Sequence, residues 1–132
     1  MLIDTIMCVD DDPEIGKSLR LLFEDDFHVL TFTEPKNAIK ELETNKKVSV
    51  IISDHRMPEM NGLQFLMKVK ELYPEFRTYN IIYSGYSEVE AEMDNMIKAK
   101  VIDEFLTKSC PTRLLTAAVT NGIMRAKSRF AS

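Results

Sequence analysis

The sequence predicts a single α/β domain in which a parallel sheet carries helices on both faces. Short apolar segments rich in Val and Ile alternate five times with amphipathic helical segments, and the connections between them are short. Strands that alternate with helices in this way form parallel βαβ units, so a doubly wound, five-stranded (βα)5 sheet is expected. A length of 132 residues suits one hydrophobic core, which we place at about residues 2–128 of a single domain spanning 1–132.

The first two strand-helix pairs follow from the hydrophobic pattern and from helix-start signals. Strand one is predicted over residues 2–9 and strand two over 27–32. Between them, Asp12 is an expected N-cap and Pro13 the first helical residue. The predicted core face of helix one contains Ile15, Leu19, Leu22 and Phe23. Helix two is expected to start at residues 33–35, with Ala38, Ile39 and Leu42 facing the core.

The third strand, residues 48–53, contains a run of Val and Ile with no polar alternation, which predicts burial on both faces. It ends at a lone carboxylate, Asp54, and a loop containing Pro58 and Gly62 follows. Helix three is predicted from residues 61–62 to near Pro74. Its apolar positions are Leu63, Phe65, Leu66, Val69 and Leu72.

The second half of the chain repeats the alternation. Strand four is predicted over residues 80–84, ending before Gly85, and helix four over 88–97 with less apolar surface than the others. Strand five is predicted over 101–106. Pro111 opens helix five, whose predicted core face contains Leu114, Leu115, Ala118, Val119 and Ile123.

The composition excludes several classes of protein. With 45% hydrophobic residues, 29% charged residues and a net charge of −4, the chain lacks the basic character of a nucleic-acid-binding domain. No apolar stretch approaches the roughly 20 residues that span a bilayer, and no secretion signal is visible. We therefore expect a cytoplasmic protein without direct nucleic-acid or membrane binding. Two cysteines, Cys8 and Cys110, are too few for a disulfide framework.

The chemically informative residues stand at predicted strand ends. The carboxyl ends of parallel strands meet at one edge of the sheet, where ligands bind. Strands one, three, four and five end with Asp10-Asp11, Asp54, Ser84 and Lys108. Each has an ordinary explanation as a cap, turn or surface residue, but together they suit a hard divalent cation such as Mg²⁺. An Asp carboxylate can also act as a nucleophile toward phosphorus, with a metal and an ammonium offsetting charge.

Four motifs in this order give the chain a resemblance to a known family. They are Val9-Asp10-Asp11-Asp12-Pro13, Asp54-x-x-Met57-Pro58-x-Met60-x-Gly62, Ser84-Gly85-Tyr86 and Phe105-Leu106-Thr107-Lys108. Over essentially its whole length the sequence resembles the receiver domain of two-component response regulators. The resemblance implies a flavodoxin-like sheet with strand order 2-1-3-4-5.

The resemblance also implies an acceptor and a metal site. Asp54 matches the phosphoacceptor, and Asp10 and Asp11 match the acidic pair, with Asp11 the direct ligand. Asp10, Asp11, Asp54 and the backbone carbonyl of Arg56 would hold Mg²⁺, or Mn²⁺ in its place.

The remaining motif residues match the family's switch. Ser84 corresponds to the switch hydroxyl, Phe105 to the switch aromatic and Lys108 to the lysine that pairs with the phosphoryl group. A sensor histidine kinase or phosphotransfer protein would donate the phosphoryl group. A downstream effector domain or protein would then bind the face formed by helix four, strand five and helix five, and a homodimer could form through that face. The domain would catalyse only its own phosphorylation and dephosphorylation, and so is not expected to be an enzyme.

The chain departs from the family pattern after Lys108, where Ser109 replaces a proline whose peptide bond is often cis. We expect a trans bond here, because a cis bond before serine costs about 3 kcal/mol. Arg56 and Tyr86 are both bulky and would flank the acceptor, which suggests that they shield the phosphoryl group from water. His55 is expected to face solvent.

The sequence leaves three alternative functions open. A Mg²⁺-dependent phosphatase with an aspartyl nucleophile would usually carry a second acid two residues on, where this chain has Arg56. A flavin-binding module could share the sheet topology, although the acids after strand one would repel a phosphate. A degenerate receiver could serve only as a protein-binding surface, for which Ser109 is a weak argument.

Overall fold

Five parallel strands form one sheet in a computed structural model that describes residues 4–45, 47–85, 94 and 100–131. In chain order the strands are β1 (Thr5–Val9), β2 (His28–Phe32), β3 (Val48–Ser53), β4 (Tyr79–Ser84) and β5 (Glu104–Thr107). Their order across the sheet is β2-β1-β3-β4-β5, and every neighbouring pair is parallel. The predicted fold class and strand order are therefore confirmed.

Four helices connect or follow these strands in the described part of the chain. They are α1 (Pro13–Phe23), α2 (Pro35–Thr44), α3 (Gly62–Leu72) and a C-terminal helix (Thr112–Ala131). The helix predicted over 88–97 lies outside the described residues except for Asp94. Within the described residues, no helix has both the length and the apolarity needed to cross a bilayer.

The helices cover both faces of the sheet, because side chains of each strand alternate between the faces. In β1, Met7 and Val9 pack with residues of α2 and α3, whereas Ile6 and Cys8 pack with residues of α1 and the C-terminal helix. All four side chains are buried. The doubly wound arrangement thus gives two separate cores, and it leaves the strand ends at the rim.

Two helix starts stand directly beside the strand ends that carry acids. The Asp12 carboxylate accepts a hydrogen bond from the Glu14 backbone N–H (3.0 Å), which confirms the predicted cap of α1. Asn61 and Gln64 form a capping box at α3, each side chain accepting from the other's backbone N–H at 2.8 Å. These caps fix where α1 and α3 leave the rim.

The predicted start of strand five was wrong. Val101 and Ile102 are buried as an apolar strand requires, but the ladder begins only at Glu104. Their backbone is bonded otherwise, since the Asn80 side-chain amide donates to the Val101 carbonyl at 2.9 Å. The Asp103 carboxylate accepts from the Asn80 backbone N–H at 2.8 Å. Together with the Asp103 N–H, which donates to the Asn80 carbonyl at 2.8 Å, these contacts join the two segments just before the ladder begins.

Three leucines predicted to face the core are exposed: Leu22 (37%), Leu72 (45%) and Leu114 (45%). In α1 and in the C-terminal helix the following residue, Phe23 or Leu115, is buried instead. A helix presents only a stripe to the sheet, so an apolar residue on its flank stays in solvent.

Gly62 is the point at which the loop after β3 folds back on the strand. Its N–H donates to the His55 carbonyl at 2.9 Å. A Cβ at this position would lie 2.3 Å from the Asp54 carbonyl oxygen and 3.1 Å from the His55 Cα. Only a residue without a side chain lets α3 approach the strand end this closely.

We therefore expect Gly62→Ala to lower the free energy of unfolding by about 2–3 kcal/mol, because backbone atoms must move to relieve the overlap. Urea denaturation would measure the loss. Gly85→Ala is the matched control, since a Cβ at Gly85 meets no atom within 4 Å. Equal stability of the two variants would show that the close approach is unimportant.

Candidate functional site

Asp10 and Asp54 stand side by side because β1 and β3 are neighbours in the sheet. The Asp10 N–H donates to the Phe32 carbonyl at 3.0 Å, and the Asp54 N–H donates to the Val9 carbonyl at 2.9 Å. Sheet hydrogen bonding thus continues to the acids themselves and fixes their backbones. Both residues are largely buried, with exposed fractions of 5% and 7%.

Asp11 completes an acidic cluster at this rim. Asp10, Asp11 and Asp54 each offer a carboxylate oxygen, and these oxygens lie within 4.8 Å of one another. Asp11 is exposed, so solvent reaches the cluster from its side. Three carboxylates at this spacing are the ligand type that a hard divalent cation prefers.

Lys108 supplies a positive charge beside this cluster. Its Nζ lies 2.8 Å from Asp10 Oδ2 and 3.6 Å from Asp54 Oδ2. Its backbone N–H donates to the Ser84 carbonyl at 2.8 Å, which anchors the end of β5 to the end of β4. The Lys108–Ser109 peptide bond is trans, as expected. The ammonium therefore reaches the acids without the cis bond that is common in the family.

Ser84 and Phe105 lie on adjacent strands. Ser84 has no exposed surface and pairs with Thr107 in the β4–β5 ladder. Phe105 is opposite Ile82, is half-buried, and packs against the core on the α2–α3 face. The hydroxyl therefore belongs to the same rim as Lys108, whereas Phe105 lies two residues before the end of β5.

The residues after Asp54 differ from expectation in one respect. His55 is buried, with 5% of its surface exposed, so the prediction that it faces solvent was wrong. The fold-back at Gly62 covers it, and its N–H donates to Asp54 Oδ1 at 2.8 Å. This burial depends on Gly62, seven residues further along the chain, so the sequence around His55 gives no signal of it. Arg56 is exposed, and Tyr86 lies outside the described residues.

Burial and like charge dominate the electrostatics of the site. Burial, followed by the negative charge of Asp10, raises the pKa of Asp54 from 3.8 to about 6, although Lys108 and the His55 N–H act in the opposite direction. For Lys108, burial lowers the pKa, but its hydrogen bond to Asp10 and the charges of Asp10 and Asp54 outweigh this and raise it. The site therefore holds an excess of negative charge that one lysine does not balance.

This excess predicts a stability change. An acid whose pKa is raised on folding destabilises the fold increasingly as the pH rises from 3.8 to about 6, and fully above that range. We expect Asp54→Asn to raise the free energy of unfolding near neutral pH by about 1–3 kcal/mol in EDTA. The amide oxygen can still accept from His55, so the hydrogen bond is retained.

Urea denaturation with and without Mg²⁺ measures this effect. The gain should shrink as the pH falls from about 6 and disappear below about pH 3, where the carboxyl is protonated in both states, and it should also shrink when Mg²⁺ is added. Asp25→Asn is the control, because Asp25 is an exposed acid in the turn after α1. An unchanged or lower stability of Asp54→Asn near neutral pH would contradict the expectation.

Comparison with known proteins agrees, over most of the chain, with the family resemblance seen in the sequence. A family model described as the response regulator receiver domain matches residues 6–120. Over 104 residues the chain is 36% identical to the hydrogenase transcriptional regulatory protein HoxA of Bradyrhizobium diazoefficiens, covering 79% of this chain and 21% of that protein. It is 33% identical over 112 residues to the transcriptional regulatory protein FlgR of Helicobacter pylori, covering 83% and 27%. The chain thus spans about a quarter or less of these relatives.

Solved structures agree on the fold. A crystal structure of a response regulator receiver domain protein from Clostridium thermocellum has a TM-score of 0.82 at 26% identity and covers 95% of this chain and 98% of that chain. The response regulator TrrA of Thermotoga maritima, in complex with Mg²⁺-BeF, shares the fold at 22% identity. Its TM-score is 0.77, with 91% of this chain and 99% of that chain covered.

Proposed function

The chain belongs to the response regulator receiver domain family, and we propose that Asp54 is the residue that accepts its phosphoryl group. Receiver domains are signalling modules of two-component systems that a kinase phosphorylates on a side chain. The observation that carries the assignment is the convergence of Asp10, Asp11 and Asp54, with Lys108 2.8 Å from one acid and 3.6 Å from another. We take residues 1–132 as one such domain.

The acidic cluster fits a divalent metal. Asp10, Asp11 and Asp54, with the backbone carbonyl of Arg56, would hold Mg²⁺ or Mn²⁺. Three carboxylates whose oxygens lie within 4.8 Å of one another repel each other, and only one lysine contacts them among the described residues. When bound, the metal would neutralise charge on the transferring phosphoryl oxygens.

The transfer requires an ionised Asp54. A carboxylate oxygen of Asp54 forms a bond to phosphorus while the phosphorus–nitrogen bond of a donor phosphohistidine breaks. The electron pair of that bond stays on the imidazole nitrogen, which takes up a proton from solvent. Because the pKa of Asp54 is about 6, the nucleophilic form predominates near neutral pH. The Lys108 ammonium then offsets the charge of the phosphoryl group.

The signal would be read on the β4–β5 side of the domain. We assign Ser84 as the hydroxyl that moves toward the phosphoryl group and Phe105 as the aromatic that repositions in response. The Lys108 N–H to Ser84 carbonyl bond supports this, because it couples the two strand ends. The kinase or phosphotransfer partner, the effector, a homodimer through this face and a cytoplasmic location remain predictions.

The alternatives receive less support. A phosphatase would need a general acid near the nucleophile, and the residue two positions after Asp54 is Arg56. The phosphate of a flavin would be repelled by the carboxylates of Asp10 and Asp11. We infer that the domain catalyses only its own phosphorylation and dephosphorylation.

Incubation with Mg²⁺ and a small phosphoramidate should add one phosphoryl group to the protein, measured by intact mass. Asp54→Asn should remain unlabelled, because it lacks the nucleophile. Asp12→Asn is the matched control, since Asp12 is an exposed cap in the same acidic run and should label normally. Labelling of the Asp54 variant, or continuous release of phosphate without a labelled protein, would contradict the proposal.

A second expectation concerns the lifetime of the phosphorylated form. Arg56 is exposed two residues beyond the acceptor, and we propose that its side chain limits the access of water. From the sequence alone, Tyr86, which lies outside the described residues, is proposed to act with it. Arg56→Ala should shorten the half-life of phosphorylated Asp54 severalfold, measured by loss of the added mass over time. Arg56→Lys tests whether charge or bulk matters. Decay at the original rate in both Arg56→Ala and Tyr86→Ala would refute shielding.

A further inference from the structure

A cavity of about 140 Å³ lies at the opposite edge of the sheet from Asp54. It is bordered by Thr78 and Asn80 at the start of β4, by the last turns of α3, and by Lys100 and Asp103 before β5. None of the residues assigned to phosphorylation contributes to it. Its volume is well below the roughly 300–1,000 Å³ of drug-sized sites, so it suits a small ion or group.

The floor of the cavity is a completed network of hydrogen bonds. Arg129 of the C-terminal helix donates to both oxygens of Asp103 (2.6 and 3.3 Å) and to the Thr78 carbonyl (3.1 Å). Asp103 also accepts from the Asn80 N–H at 2.8 Å. Asp103 is the only acid that lines the cavity among the described residues, and Arg129 neutralises it.

The rim of the cavity is cationic. Lys70, Arg77 and Lys100 border it, and none of the three takes part in an ion pair with another described residue. The whole chain has a net charge of −4, so this concentration of positive charge runs against its composition. Three cations around a neutral floor create a local potential that favours an anion.

Lys100 adds a second, conformational observation. Its φ is 64°, and Glu59 is the only other described non-glycine residue with a positive φ. The left-handed region is unfavourable for lysine, and such residues cluster at functional sites where surrounding structure maintains them. Here that backbone conformation brings a lysine, rather than the usual glycine or asparagine, to the rim of the cavity.

One wall of the cavity is apolar. Tyr73 and Phe76 stack there with ring centroids 4.9 Å apart and an interplanar angle of 16°, beside Leu66 and Val69. The three cations of the rim suit a compact dianion such as phosphate, and the apolar wall would in addition accept the methylene carbons of a short dicarboxylate. We propose that this cavity binds a small dianion, of the phosphate or short dicarboxylate class, through Lys70, Arg77 and Lys100.

Backbone amide NMR of the whole chain tests the proposal. Inorganic phosphate and succinate are titrated separately at low ionic strength without divalent metal, since the acidic rim at Asp54 then repels anions. We expect saturable chemical-shift changes centred on Thr78, Asn80 and Lys100. The dissociation constant should lie in the millimolar range. The probe that binds more tightly identifies the class of anion, and sodium chloride at matched ionic strength should not reproduce the pattern.

Three variants make the result decisive. Lys70→Gln and Lys100→Asn should each weaken binding about fivefold or more, as the loss of one charged contact does. Asparagine tolerates the left-handed backbone, so Lys100→Asn removes charge without new strain. Lys68→Gln is the control, because Lys68 is on the same helix, does not line the cavity and pairs with Glu71.

Each remaining outcome rejects the site. Shifts that never saturate, shifts spread over all surface lysines, or shifts centred on Asp54 would overturn the proposal. Equal weakening in Lys68→Gln would show only general attraction of anions to the protein. Phosphorylation of Asp54 is measured independently, so failure here leaves the receiver assignment untouched.

Discussion

The repulsion among three carboxylates at one strand edge is the constraint on which the proposed phosphorylation site depends. Asp10 and Asp54 are largely buried, and with Asp11 their oxygens come within 4.8 Å of one another. Such an arrangement is unfavourable by itself, and Lys108 offsets only part of it. The sheet maintains this charge in a place where a divalent cation would relieve it.

The rest of the fold holds that rim together. The Asp54 N–H is bound to the Val9 carbonyl and the Lys108 N–H to the Ser84 carbonyl, so neighbouring strands fix both the acid and the ammonium. The absence of a side chain at Gly62 lets the following helix close over the strand end. Through such backbone contacts, a change of charge at the rim would alter the positions of several connected elements, because packed cores shift between discrete arrangements.

Two sites at opposite edges of the sheet differ in electrostatic character. Acids dominate the carboxyl edge, whereas Lys70, Arg77 and Lys100 surround the cavity at the amino edge. The strand β5 connects these regions, since Asp103 at its start belongs to the cavity floor and Lys108 just after it contacts the acids. An anion at one edge and a cation at the other would each compensate the local excess of charge.

The sequence by itself determined the five strands and the four described helices, the strand order through its family resemblance, and the identity of the residues at the strand ends. These features depend on local periodicity, caps and motifs, which a single chain displays directly. Only the tertiary structure decided that His55 is buried, that Leu114 is exposed and that the β5 ladder starts at Glu104. It also decided that Lys108 lies closer to Asp10 than to Asp54, and that three cations border one cavity. Each of these depends on contacts between residues distant in the chain, and such contacts leave no periodic or local signal.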